Sequence, residues 1–151
     1  MIFAHPVLRF LAMLMFGVSL FGCVTSSPVD LHPRSSVVLD AVPQYVLKPC
    51  SRSSPPSVES VWLPTTDDIT RMEANFHKLL RLKSTGCCLQ GMRIRSLQEY
   101  DLLYVGIVSQ GRHLIYVATA GDWCDGGIGS WGVVYNPENG QFSELHVNGV
   151  A

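Results

Sequence analysis

Two apolar stretches separated by a two-residue polar link constrain this chain most. Leu102 to Val108 and Leu114 to Val117 lie on either side of Gln110-Gly111. A link this short closes only as a tight hairpin, so the strands it joins must run antiparallel. Both stretches are apolar on both faces, which places them at the centre of a sheet. Strands are predicted at Leu89 to Arg95, Tyr100 to Ser109, Arg112 to Thr119, Ser130 to Tyr135 and Gln141 to Val147. Pro137-Glu138-Asn139-Gly140 supplies the turn between the last two.

Upstream, Ile69, Met72, Phe76, Leu79 and Leu80 recur at three- and four-residue spacing, the signature of one apolar helix stripe. Thr65 or Thr66 suits the N-cap, Asp67 and Asp68 the first turn, Lys78, Arg81 and Lys83 the last turns, and Gly86 the stop. The pattern predicts an α+β fold in which one amphipathic helix packs on a curled antiparallel sheet of about five strands, cystatin-like or related.

The N-terminus reads differently. A short segment carrying Arg9 precedes an apolar run from Phe10 to Phe21, and Leu20-Phe21-Gly22-Cys23 closes it as a lipobox. This pattern predicts a bacterial lipoprotein signal peptide over residues 1–22, with Cys23 as the lipidation site. The run is shorter than the roughly 20 residues a spanning helix needs, which argues against an uncleaved anchor. More than one acyl chain is required for stable anchoring, and triacylation of Cys23 would supply them. Val24 after the cysteine, by analogy with proteobacterial sorting, points to the outer membrane, facing the periplasm.

Six of the nine prolines and nine serines fall between Val24 and Ser60. Residues 23–60 are therefore expected to form an extended tether, with Gln44 to Lys48 as a short edge strand at its docked end, and residues 61–151 the folded domain. Eleven basic and twelve acidic residues are interspersed. No basic patch exists to hold nucleic acid.

Cys50, Cys87, Cys88 and Cys124 remain after Cys23, an even number that suggests two disulfides in an exported chain. Adjacent cysteines rarely bond each other, leaving Cys50 with Cys87 plus Cys88 with Cys124, or the swap. Cys88 with Cys124 is the preferred pairing. A zinc site is disfavoured by the lack of any C-x-x-C pair, and no metal or other cofactor is expected.

The segment of unusual composition is Ala120 to Gly132. Its Asp122, Trp123, Asp125, Gly126, Gly127 and Trp131 read either as a binding loop, with carboxylates for calcium or a sugar stacked on Trp123, or as a disulfide-pinned crossing whose tryptophans plug the core. The second reading is favoured because an EF-hand spacing of oxygens is absent. An enzyme would take Cys88 or Cys124 as nucleophile, His113 or His77 as base and Asp125 to orient it. Pairing of the thiols removes that nucleophile, and no G-x-S-x-G or His-Glu-x-x-His occurs, so no enzymatic activity is expected.

Cys124-Asp125-Gly126-Gly127, Trp131 to Pro137, Phe142, Leu145 and Asn148-Gly149-Val150-Ala151 resemble the ending of small uncharacterised proteobacterial lipoproteins. Cys87-Cys88 and Gly111 to Tyr116 fit the same pattern, so the likeness covers roughly Trp62 to Ala151. Members of that family carry a longer segment before the Cys-Asp-Gly-Gly loop, and this chain is shortened there. The resemblance implies compartment and fold but no activity. The expected function is a lipid-anchored interaction module with an envelope protein partner, of inhibitor, immunity or accessory type. The alternative is a small-ligand or metal-binding lipoprotein using the 120–132 loop.

Overall fold

The computed structural model describes residues 32, 34–37, 42, 44–53, 55–86, 88–121 and 124–150. The signal peptide and Cys23 lie outside the described residues, as do Cys87, Asp122, Trp123 and Ala151.

Gln110-Gly111 turns the chain as the sequence demands, with both residues at positive φ (51° and 70°). The strands it joins, β3 (Leu102–Ser109) and β4 (Arg112–Thr119), pair over their full lengths. Beyond them, β5 (Trp131–Asn136) and β6 (Gln141–Val147) continue the antiparallel order. The other edge of β3 is shared by β1 (Ser35–Val37), parallel to its first half, and β2 (Ser60–Trp62), antiparallel to its second. The result is an α+β fold with one open sheet and a few short helices.

Alternation along the strands divides the buried side chains between two faces. Tyr104, Ile115, Val117, Trp131, Val133 and Tyr135 point to one face, under α2 (Thr66–Ala74) and α3 (Phe76–Leu79). Val105, Ile107, Leu114, Tyr116, Ala118 and Val134 point to the other. Strand β6 keeps both Phe142 and Leu145 on the first face although they differ in parity. A bulge makes this possible, with Glu144 at φ 54°.

Three expectations require correction. The single helix is two: α2 starts on a capping box between Thr65 and Asp68, then ends at Asn75, whose side chain donates to Arg71 O at 2.7 Å. That local bond competes with helix continuation, and α3 restarts at Phe76 after Asn75 (φ −94°, ψ 3°). Leu89 to Arg95 is not a strand but irregular chain anchored by Ser84, whose carbonyl and hydroxyl accept from Gly91 N and Met92 N. Gln44–Leu47 is a helix, α1, rather than an edge strand.

The described parts of residues 32–58 pack against the rest of the fold. Val46 is buried against the second sheet face, with Tyr45, Leu47 and Val58 around it. Tyr116, Val105 and Ile107 lie on that face and need cover, and this segment is the available apolar chain. At its N-terminal end, Glu73 of α2 accepts from His32 N at 2.8 Å and from the Tyr104 hydroxyl at 2.6 Å. Burial, reinforced by the Glu73 carboxylate, pushes the Tyr104 hydroxyl pKa well above the ordinary tyrosine value. Arg34 adds a two-pronged exposed pair with Asp101, at 2.7 and 2.9 Å.

Candidate functional site

The glycine-rich loop is tied down from two sides. Its Cys124 is disulfide-bonded to Cys50, with 5.3 Å between their Cα atoms. This corrects the expected Cys88–Cys124 pairing and its swap. The docking of α1 brings Cys50, three residues beyond that helix, to the loop. Cys88 is also disulfide-bonded, and its Sγ lies 3.4 Å from Ser51 O.

From the other side comes the C-terminal segment. Gly127 N donates to Gly149 O at 2.8 Å, and Gly126 forms a β-bridge with Val150. Gly127 is buried at φ 51°, and a Cβ there would meet Val150 Cγ1 at 2.9 Å, which accounts for glycine at this position. Ser51 joins the pieces: its hydroxyl donates to Cys124 O and accepts from Gly149 N.

Beneath this knot lies a residue that motif reading passed over. Arg52 is buried and donates to the Tyr116 hydroxyl (3.1 Å), Ser130 Oγ (3.3 Å) and Asn148 Oδ1 (2.8 Å). Taking a guanidinium out of water is costly unless its donors are satisfied, so these partners are a condition of the fold here. The one available sequence signal was position: Arg52 follows Cys50 in a segment otherwise poor in charge.

The predicted site residues therefore separate. Trp131 is fully buried, its ring edge-on to Tyr100 at 5.5 Å, and belongs to the core. Gly126 and Gly127 shape the backbone, whereas Asp125 is exposed. Among the described residues no three metal-ligating side chains cluster.

What the loop does offer is one wall of a groove. Ile128, in the 3₁₀ turn Gly127–Gly129, faces Met92, Arg93, Arg95, Ser96, Glu99 and Tyr100 across a space of about 440 Å³. Tyr100 donates its hydroxyl to Ile128 O at 3.1 Å and so fixes that wall. Burial raises the Tyr100 pKa, with the Glu99 charge adding to the effect, so it remains a neutral donor at ordinary pH. Met92 stands 42% exposed at the rim. Arg93 and Arg95 form no ion pair among the described residues.

No protein-family model, curated protein or solved structure matches this chain.

Proposed function

We propose that this chain is a lipid-anchored bacterial envelope protein, held through Cys23 in the outer membrane and facing the periplasm, whose folded part is a protein-interaction module. The lipobox carries the anchoring. The groove lined by Met92, Arg93, Arg95, Tyr100 and Ile128 carries the contact. Arginine, tyrosine and methionine are the residues enriched where proteins bind proteins, and a soft apolar rim beside two guanidinium groups that form no ion pair among the described residues suits an acidic partner segment with an apolar anchor.

One observation supports a binding rather than a catalytic role, and a second bears on which kind of binding. Cys124, a candidate nucleophile, is consumed in its bond to Cys50. Trp131, one of the residues of the ligand-binding alternative, is buried in the core. No helix among the described residues is long and apolar enough to cross a membrane, and lipid at Cys23 would supply the attachment instead.

Radiolabelled palmitate tests the anchor: incorporation should vanish in Cys23→Ser. Capture from envelope extract tests the module. A single partner should be recovered with the native groove and lost with Arg93→Glu plus Arg95→Glu, at unchanged melting temperature. Equal recovery by both proteins would rule out this groove as the contact.

A further inference from the structure

Interspersion of the charges, expected for the whole chain, fails over residues 74–98. Lys78, Arg81, Lys83, Arg93 and Arg95 fall in that stretch, and no aspartate or glutamate does. Lys78 donates to Gly140 O at 2.8 Å. The other four stand outward, because the residues between them turn in: Leu82 packs against the core under α2 and α3, and Ile94 is 1% exposed, while Arg81, Lys83, Arg93 and Arg95 are all exposed.

The fold joins the two basic pairs. Ser84 N donates to Met92 O at 2.8 Å and Gly91 N to Ser84 O at 2.9 Å, and Lys83 and Arg93 are the next residues beyond that junction on either segment. Two residues of chain reach at most about 7 Å, so the backbone sites within each pair lie inside the Debye length of about 8 Å at physiological salt and their fields add. Among the described residues the ion pairs are Arg34 with Asp101 and Arg71 with Asp68, and none of these four bases takes part in one. Like charges held this close repel, at a cost to the folded state that no ion pair offsets. Arg93 and Arg95 line the groove with Ile128 and Glu99, and Met92 stands at its rim beside the Ser84 junction.

We propose that the contact surface continues from the groove across Met92 onto Lys83 and Arg81, and that its partner is an acidic protein segment with carboxylates on both sides of the apolar side chain it sets against Met92. This inference rests on the interaction reading and adds two contact residues and the charge pattern of the partner. A guanidinium fork takes a carboxylate in two places at once, and an ammonium takes it as a point charge. A surface of one sign also speeds the capture of an oppositely charged segment, an effect that salt weakens.

Photocrosslinking of the full anchored chain in the intact envelope tests the proposal. A probe at Ser96 reports the groove, and a probe at Thr85, exposed on the far side of buried Ser84 from Lys83, reports the extension. Both should yield the same protein adduct. Arg81→Glu with Lys83→Glu should lower the Ser96 yield at least about tenfold at unchanged melting temperature, and Arg112→Glu, at the Gln110-Gly111 hairpin, should leave it unchanged. Full yield in the folded double variant, or an equal loss in Arg112→Glu, would overturn the extension while the groove reading stands. An adduct of phospholipid mass at Thr85 would assign these bases to a lipid surface and overturn it as well. Absence of an adduct at both positions would remove the groove reading and the extension with it.

Discussion

The Tyr116 hydroxyl occupies the space that a Cβ on Gly132 would need. The two residues sit on neighbouring strands, and the same hydroxyl accepts from Arg52. One missing methyl on β5 thus makes room for the polar contact that anchors the docked N-terminal segment. Gly132→Ala should cost about 2–3 kcal/mol by forcing Tyr116 aside. Tyr116→Phe should relieve part of that cost in a double-mutant cycle read by chemical denaturation. Additive effects would mean that the two residues are not coupled.

Arg52→Met keeps the aliphatic stem but strands Ser130, Asn148 and Tyr116. A loss of about 2–4 kcal/mol is expected from unfolding curves, larger than for an average surface arginine. Arg52→Lys should not rescue it, because one ammonium cannot span three acceptors in the geometry of the fork.

Removing the staple has a scale of its own. Cys50 and Cys124 are 74 residues apart, and the chain-entropy account gives about 4 kcal/mol for a loop of that length. Cys50→Ser with Cys124→Ser should lower stability by that order. Hydrogen exchange should speed first in α1 and the 124–129 loop, since these are what the bond joins.

His146 sets a pH dependence. Burial lowers its pKa from the ordinary 6.5, the Arg52 charge lowers it further, and Glu144 opposes. As pH falls below about 6.5, the unfolded chain takes up the proton before the folded one does. Its contribution is therefore full above that pH and is lost as pH falls toward the folded value. The denaturant midpoint should drop across this window, and His146→Gln should flatten the drop. An unchanged profile in the variant would assign the dependence to other groups.

The hairpins were legible because Gln110-Gly111 and the Pro137 to Gly140 turn speak through local chemistry. The Thr65 capping box and the Ile69, Met72 and Leu79 stripe were legible for the same reason. The helix break at Asn75 was not, since a single side-chain bond to Arg71 O decides it against a periodic pattern that runs on. The helical form of Gln44–Leu47 and the extent of the docked segment were hidden because Pro- and Ser-rich composition records the lack of internal hydrogen bonds, not the apolar face awaiting cover. Cys50 was not matched to Cys124 because that pairing leaves the adjacent Cys87 and Cys88 to each other, which disulfide geometry rarely allows. Of the residues in the binding-loop reading, Trp131 points into the core because it alternates inward from the first residue of β5.

Site-specific photocrosslinking in the intact envelope tests the interaction account most directly. A probe at Ser96, on the groove, should yield one adduct of discrete mass, and a probe at Glu138, in the distant turn, none. No adduct from the groove of a folded, anchored protein, or the same adduct from both positions, would contradict it.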